Sequence, residues 1–202
     1  MSKIGLHNFF VQRKINITEG YTQLNLGQCN EIKKLLNKDI KSIMEIGFNA
    51  GHSAEIFLDN TDAYVHSFDI GTHFKEYLKY GKMYINNVYP NRHTLVFGDS
   101  KMTVPRFAIN NPDTKFDLIF IDGGHDYETA LADIVNCQKV ATKDTILIMD
   151  DVIKHNKKFV TGWTEGPTSA WNKCISDGIV EETNIFEWTT GHGMTVGKYL
   201  FN

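Results

Sequence analysis

The stretch Ile43-Met44-Glu45-Ile46-Gly47-Phe48-Asn49-Ala50-Gly51-His52-Ser53 decides the fold. Its apolar start predicts a buried strand, which ends at Gly47, where a turn needs torsions that are open to glycine. Gly51 and Ser53 follow, and residues 54–58 have the composition of a helix. A strand, a turn and a helix in this order point unpaired backbone N–H groups into one crevice, which suits a polar or anionic ligand.

Strands and helices alternate along the rest of the chain. Strands are predicted at residues 42–47, 63–69, 93–98, 116–122 and 145–150, and helices at 28–37, 73–88, 102–109 and 128–140. A further helix is predicted to start near Pro167. Two last strands, at 179–188 and 194–200, have so short a connection that they must be antiparallel. The order predicts an open, doubly wound, mostly parallel α/β sheet of seven strands, with an antiparallel C-terminal hairpin and helices on both faces.

Length and composition favour one globular domain. The chain has 202 residues, of which 42% are hydrophobic and 22% charged, enough for one sizeable core. We expect a single domain over residues 1–202, in which residues 1–26 are an N-terminal extension or a flap over the crevice. Of the two, a tail packed on the surface is favoured for residues 18–23.

Charge and cysteine content exclude several classes of protein. A net charge of -3 gives no reason to expect nucleic-acid or membrane partners. No apolar segment approaches the length of a membrane span, and no signal-peptide pattern opens the chain. Cys29, Cys137 and Cys174 are too few and too far apart for a disulfide framework or a zinc cluster. A reducing compartment, the cytoplasm, is therefore expected.

Acidic residues follow every predicted parallel strand. They are Glu45 with Gly47, then Asp69, Asp99, Asp122, and Asp150 with Asp151. Ligands of open α/β sheets bind outside the carboxyl ends of the strands. An Asp after a strand often caps the next helix, which accounts for one or two of these residues. Five acidic positions at one edge indicate a binding site.

This combination resembles the class I S-adenosylmethionine-dependent methyltransferases, over roughly residue 27 to the C-terminus. The sequence from Glu45 to Gly51 is similar to the family's acidic-x-Gly-x-x-x-Gly loop, which holds the methionine moiety. Asp69 matches the acid that bridges the ribose hydroxyls, and Asp99 with Ser100 resembles the pair that meets the adenine. The resemblance implies a Rossmann-like methyltransferase domain. It implies a cofactor site made of Glu45, Gly47, Asn49, Gly51, Ser53, Asp69, Asp99, Ser100 and Asp122.

The rival ligand for such a loop is a dinucleotide. Its fingerprint, Gly-x-Gly-x-x-Gly, lets the pyrophosphate come close to the backbone. Aligned on Gly47, the second glycine is replaced by Asn49 and the third by His52. A methyltransferase tolerates these side chains because no pyrophosphate must approach. The substitutions therefore favour S-adenosylmethionine.

Three carboxylates are predicted to meet at the ends of strands four and five. In the family's usual strand order these strands are neighbours, about 5 Å apart, so Asp122, Asp150 and Asp151 would repel one another unless a cation neutralises them. A hard divalent ion such as Mg²⁺ suits these oxygen ligands. The arrangement resembles the metal-dependent O-methyltransferases of the catechol, caffeoyl-coenzyme A and macrolide- or antibiotic-sugar kinds. Asp151, where catechol-type enzymes have Asn, favours a sugar or polyol hydroxyl.

His125 is the predicted general base, with Asp122 also at the reaction centre. It stands where catechol-type enzymes place a Lys, and its ordinary pKa suits proton transfer near neutrality. The alternative for His125 is a helix-start residue bonded to nearby backbone. Asp126 is expected to be the N-cap of the following helix. Trp163 is a candidate for the acceptor pocket, and Trp171 is expected in the core.

The sequence thus predicts a small-molecule O-methyltransferase that uses S-adenosylmethionine and Mg²⁺. Three alternatives stay open: metal-free methyl transfer to oxygen or nitrogen with His125 as base, a non-catalytic S-adenosylmethionine-binding module, and a nicotinamide oxidoreductase. The expected partner is a small-molecule substrate. Oligomeric state is left open, with a homo-oligomer compatible with the sequence.

Overall fold

The computed structural model describes residues 4–20, 25–73 and 75–201. Its strands are β1 (Ser42–Ile46), β2 (Tyr64–Asp69), β3 (His93–Phe97), β4 (Leu118–Ile121), β5 (Ile146–Asp150), β6 (Val180–Glu187) and β7 (Gly193–Tyr199). Its helices are α1 (Leu6–Gln12), α2 (Leu26–Leu35), α3 (His52–Asn60), α4 (Lys75–Val88), α5 (Ser100–Asn110), α6 (Tyr127–Cys137) and α7 (Gly162–Ser176). Short 3-10 turns lie at Gln138–Val140 and Lys157–Phe159.

The seven strands form one sheet in the order β3-β2-β1-β4-β5-β7-β6. The first five are parallel, and β7 runs antiparallel to both β5 and β6. The predicted sheet and its terminal hairpin are confirmed. The strand order reverses between β1 and β4, which is the switch point where such sheets bind ligands.

Alternating side chains of the strands build two cores, one on each face of the sheet. Ile43 packs with the apolar residues of α1 to α4, whereas its neighbour Met44 packs with those of α5, α6 and α7. This period of two is what a strand buried on both faces requires. Trp171 is fully buried in the second core, as expected.

The N-terminal segment is more ordered than the sequence indicated. α1 was not predicted because its apolar residues show no clean periodicity, yet Leu6 and Phe10 are fully buried. Residues 18–20 are exposed and border the cavity described below. Residues 21–23 of that segment lie outside the described residues.

α7 begins at Gly162, five residues before Pro167. The reason is a capping box, in which the side chains of Thr161 and Thr164 satisfy the backbone N–H groups of the first turn. Among the described residues, no helix combines the length and the apolar character that crossing a membrane requires.

Gly47 sets the distance between the turn after β1 and the end of β4. Its φ is 89°, and a Cβ atom placed there would lie 1.8 Å from the carbonyl oxygen of Asp122. Its N–H donates to the carbonyl of Phe68 at 2.8 Å. Only glycine therefore lets the β1 turn, β2 and Asp122 come together at the switch point.

We predict that Gly47→Ala destabilises the protein more than Gly178→Ala. Gly178 has a similar φ of 68° but open space around its missing side chain, so its substitution costs only left-handed strain, about 1–2 kcal/mol. Gly47→Ala adds the clash with Asp122, about 1–3 kcal/mol more. Urea unfolding of the two variants measures the difference, and equal losses would show that the close approach is unimportant.

Candidate active site

A cavity of about 1380 Å³ opens at the carboxyl ends of the parallel strands. The turns after β1 to β5 border it, together with the connection between β6 and β7. The N-terminal side is formed by residues 18–20 and by the start of α2. One large cleft thus joins all the strand ends at which acidic residues were predicted.

Ten of the predicted site residues line this cavity. They are Gly47, Asn49, Ser53, Asp69, Asp99, Ser100, Asp122, His125, Asp150 and Asp151. Glu45 and Gly51 do not border the cavity. They support residues that do, as described below.

Asp69 ties the loop after β1 to the end of β2. Its Oδ2 accepts the backbone N–H groups of Phe48 and Asn49 at 3.0 and 2.9 Å, and its Oδ1 accepts that of Gly71 at 2.8 Å. Asn49 has a φ of 45°, so it keeps a glycine-like backbone while carrying a side chain. These bonds hold Asp69 and the loop as one rigid unit at the cavity wall.

The position of the third dinucleotide glycine is filled by a packed side chain. His52 is 1% exposed, and its ring centroid lies 6.0 Å from that of Phe10 on α1. Burial in this setting lowers the pKa of His52 to about 4. The side chain therefore belongs to the core between α1 and α3, so this position lacks the glycine of the dinucleotide fingerprint.

Glu45 supports the site instead of lining it. Its carboxylate is fully buried and accepts hydrogen bonds from the hydroxyls of Ser53 and Ser67. Burial raises the pKa of Glu45 to about 7, against the lowering effect of these two bonds. Glu45 thus orients Ser53, which does border the cavity. The sequence could not distinguish a buried acid from a ligand-facing one at this position.

Gly51 serves the geometry of the turn. It precedes α3 with a φ of 89°, and a Cβ atom there would lie 2.7 Å from the ring of Phe48.

Asp99 and Ser100 close the far end of the cavity, after β3. Asp99 caps α5 by accepting the backbone N–H of Lys101 at 2.9 Å, and its Oδ2 lies 3.7 Å from the Lys101 ammonium. The carboxylate is nevertheless 45% exposed at the cavity. Asp99 can therefore cap α5 and contact a ligand at the same time.

Three carboxylates crowd the opposite part of the cavity, as predicted. Burial, and then the neighbouring Asp150 and Asp151, raise the pKa of Asp122 well above its ordinary range. Burial followed by the charge of Asp151 raises the pKa of Asp150 to about 8, although bonds from the Asp151 N–H and from Gln28 oppose this. Burial and mutual repulsion therefore oppose the ionisation of Asp122 and Asp150.

Asp151 stands in a constrained backbone position at the end of β5. Its φ is 61°, in the left-handed region that few non-glycine residues adopt, and it is only 7% exposed. Such conformations persist where the surroundings impose them, and they concentrate at functional sites.

His125 bonds to Asp151. Its Nε2 lies 3.0 Å from Asp151 Oδ2, and this hydrogen bond raises the pKa of His125. The turn that carries His125 packs tightly on α7, because a Cβ atom at Gly166 would lie 2.2 Å from the His125 carbonyl oxygen. Asp126 caps α6 through the Thr129 N–H, at 2.8 Å, as expected.

The group of ligand atoms within 4.8 Å of one another comprises Asp122, His125 and Asp151. Asp150, the third member of the predicted trio, lies beside this group. Its oxygens accept the side-chain amide of Gln28 at 2.5 Å and the Asp151 N–H at 2.9 Å.

Several cavity residues escaped the sequence reasoning. Gln28 reaches Asp150 across 122 positions of sequence, a contact that only the fold creates. Trp188 and His192 enter the cavity from the connection between β6 and β7. An aromatic residue beside that glycine-rich turn was the one available signal. Trp163 lines the cavity, in agreement with the hypothesis of an acceptor pocket.

A family model described as a methyltransferase domain matches residues 44–152, which is more than half of the chain. The chain belongs to this family. The match runs from β1 to the residue after Asp151 and so contains the loop, Asp69 and the carboxylate cluster. It confirms the enzyme class predicted from the sequence, an S-adenosylmethionine-dependent methyltransferase. The sequence matches no curated protein.

Solved structures of O-methyltransferases share the fold of this methyltransferase. An O-methyltransferase from Bacillus cereus in complex with SAH is 14% identical with a TM-score of 0.72, over 99% of this chain and 93% of that one. The O-methyltransferase TomG from Streptomyces achromogenes, in complex with SAM, is 14% identical with a TM-score of 0.71, over 98% and 91%. The TDP-rhamnose 3'-O-methyltransferase of calicheamicin biosynthesis is 20% identical with a TM-score of 0.62, over 93% and 85%.

We predict that Glu45→Gln flattens the pH dependence of stability. The folded-state pKa of about 7 exceeds the ordinary 4.5, so the folded protein binds this proton more tightly. The free energy of unfolding therefore falls as the pH rises between these values, by roughly 3 kcal/mol. The glutamine variant should lose less stability from pH 5 to pH 8, measured by urea unfolding. The control is the surface variant Glu128→Gln, which should behave as the unsubstituted protein. A fall in Glu45→Gln equal to that of the control would contradict the account.

Proposed function

We propose that this methyltransferase transfers the methyl group of S-adenosylmethionine to a hydroxyl oxygen of a small sugar or natural-product-like acceptor, assisted by a divalent cation. The observation that carries the proposal is the junction of Asp122, His125 and Asp151 in one cavity with the loop after β1. A general base and a set of oxygen ligands thereby face the same cleft as the cofactor residues.

The cofactor would lie along the ends of β1, β2 and β3. Asp69 has accepting capacity left beside its backbone bonds, since an ionised carboxylate offers about four lone-pair sites, and would meet the ribose hydroxyls. Asp99 and Ser100 would meet the adenine. Gly47, Asn49 and Ser53 would hold the methionine moiety, which directs the sulfonium toward Asp122.

The carboxylate cluster fits a hard divalent cation. Its donors are oxygens, and the raised pKa values of Asp122 and Asp150 show that burial and repulsion oppose their ionisation, a cost that a bound cation would relieve. Asp122, Asp150 and Asp151 would hold the ion. When bound, Mg²⁺ would polarise the acceptor hydroxyl and ease its deprotonation.

His125 would take the proton of the acceptor hydroxyl. A carboxylate can only accept, so the bond to Asp151 requires the hydrogen on Nε2 and leaves Nδ1 as the basic nitrogen. Asp151 thus fixes both the tautomer and the ring orientation of the base, as carboxylates do for catalytic histidines. Positioning of the base and of the nucleophile is the main task in a displacement at a methyl carbon.

Metal-free transfer is the second candidate, and one observation favours it. Asp151 is a hydrogen-bond partner of His125, at 3.0 Å, a role that does not require it to be a metal ligand as well. In this mechanism Asp122 would lie near the sulfonium of the cofactor, whose positive charge would favour the ionised carboxylate.

Aromatic walls favour a ring-shaped acceptor. Trp163 and Trp188 both border the cavity, Trp163 with its ring centroid 6.4 Å from that of His125, and aromatic faces pack well on sugar and phenol rings. The solved neighbours include enzymes that act on the sugar ring of TDP-rhamnose and in the synthesis of tomaymycin, which supports a sugar or natural-product ring as acceptor.

We predict that Asp69→Asn weakens the binding of S-adenosylhomocysteine about tenfold to a hundredfold. The loss corresponds to charge-assisted hydrogen bonds of roughly 1.5–3 kcal/mol. Calorimetric titration measures it. Asp126→Asn is the matched control, because Asn caps a helix as well as Asp does and should bind within twofold of the unsubstituted protein. Equal affinities for the two variants would refute the role of Asp69.

We predict that the metal and the base can be separated by two substitutions. Asp122→Asn should weaken Mg²⁺ binding to the S-adenosylhomocysteine complex at least tenfold, measured by calorimetry, since one ionic ligand is lost. His125→Gln should leave that affinity within threefold but lower methyl transfer to a panel of sugars and phenols by about 10²-fold or more. Asp144→Asn, an exposed carboxylate before β5, is the control for both measurements.

Chelation decides between the two mechanisms. EDTA should abolish methyl transfer if the cation takes part. Full activity after chelation, with His125→Gln still inactive, would replace the metal-assisted mechanism by the metal-free one.

A further inference from the structure

We infer that the acceptor is an uncharged ring compound that binds free, and not as a nucleoside diphosphate or coenzyme A conjugate, beside Trp163 and Trp188. This inference rests on the proposed function and concerns the acceptor end of the same cavity. Two independent observations carry it: the shape of the aromatic walls and the distribution of charge around them.

The first wall is a row of three rings. They belong to His125 in the turn before α6, Trp163 on α7 and His192 in the connection between β6 and β7. The centroid of Trp163 lies 6.4 Å from that of His125 and 5.5 Å from that of His192. All three rings border the cavity. An acceptor whose hydroxyl reaches His125 therefore lies along the indole of Trp163.

The second wall is Trp188, held against the start of α2. A Cβ atom at Gly27 would lie 2.2 Å from the indole Nε1 of Trp188, so the missing side chain lets the indole seat on the helix. The Trp188 N–H donates to the His192 carbonyl at 2.9 Å, and the indole stacks on Phe186 at 13° between planes. Contacts with Gly27, His192 and Phe186 thus hold the Trp188 indole in one orientation at the cavity wall.

The cavity that contains these walls is lined by many more acidic than basic side chains. The carboxylates that line the whole cavity are Glu19, Asp69, Asp99, Asp122, Asp126, Asp150 and Asp151. Among the described lining residues, the single lysine or arginine is Lys101. Residues 21–24, Tyr-Thr-Gln-Leu, add no cation in sequence. A bound sulfonium and one divalent ion would offset the acids without leaving a positive surplus for an anionic acceptor.

Lys101 reaches from the start of α5 to α6, but its ammonium is already engaged by neighbouring side chains. Its ammonium lies 3.3 Å from the Thr129 hydroxyl and 3.7 Å from Asp99.

The lysines that follow β5 do not line the cavity either. The ammonium of Lys154 bonds Glu182 at 2.8 Å, a carboxylate that also accepts from the buried Trp171 indole. The Lys158 ammonium lies over the ring of Phe159, 4.7 Å from its centroid. A diphosphate would therefore enter a site lined mainly by acids, without a free lysine or arginine partner among the described lining residues.

The inference is tested with two matched pairs of acceptors. Each pair offers one ring in neutral form and as an anionic conjugate: methyl rhamnoside against TDP-rhamnose, and methyl caffeate against caffeoyl-coenzyme A. Binding to the S-adenosylhomocysteine complex is measured by calorimetry. We expect the neutral member of at least one pair to bind tenfold or more tightly than its conjugate, with the ratio shrinking as salt screens the charge. A conjugate that binds as tightly as its neutral partner, or more tightly, overturns the inference.

A substitution that adds a positive charge tests whether charge governs the choice of acceptor. Thr190, exposed in the turn beside Trp188, can be changed to Lys without entering the core. Thr190→Lys should improve the binding of the conjugates at least threefold, whereas the uncharged control Thr190→Gln should not. An equal effect of both variants would show that charge does not govern the selection.

If neither member of a pair binds, collisional quenching of tryptophan fluorescence measures the charge around Trp163 and Trp188 directly. Trp171 is fully buried, so quenchers reach Trp163 and Trp188 among the three tryptophans of the chain. Relative to its quenching of N-acetyltryptophanamide, caesium ion should quench their fluorescence more strongly than iodide does relative to the same standard, and equal normalised quenching refutes the inference. Absence of methyl transfer with the binding order intact would instead count against the proposed function alone.

Discussion

The close approach of the Gly47 backbone to the carbonyl of Asp122 is the contact on which the site of this methyltransferase depends. It joins the turn after β1 to the end of β4 at the point where the strand order reverses. Because the sheet is parallel there, every neighbouring strand delivers its last residue to the same edge. The loop, Asp69 and Asp122 are consequently placed by main-chain geometry and not by long side chains.

The same geometry creates an electrostatic cost that the protein does not remove. Asp122, Asp150 and Asp151 lie together, and the pKa values of the first two are raised by burial and by their neighbours. A fold selected only for stability would place apolar residues at these strand ends. Strain at Asp151, with a φ of 61°, adds to this cost. Destabilising features that occur together in one place are typical of functional sites.

Much of this arrangement could be predicted from the sequence, because the fold follows from local patterns. The alternation of apolar runs with helices indicated the sheet, and the acids at the strand ends indicated the cavity edge. The burial of individual acidic side chains could not be predicted from these patterns. Glu45 and Asp69 both belong to strand ends, yet one carboxylate is fully enclosed by serines and the other borders the cavity. Contacts made only by the fold, such as Gln28 with Asp150, have no local signal at all.

The most direct test of the central claim is a crystal structure of the protein with S-adenosylhomocysteine and Mg²⁺. We expect the nucleoside along Asp69 and Asp99, and an octahedral ion on the oxygens of Asp122, Asp150 and Asp151 with His125 free to face the acceptor. A structure in which the cofactor binds as expected but no ion joins these carboxylates at saturating Mg²⁺ would contradict the metal-assisted account.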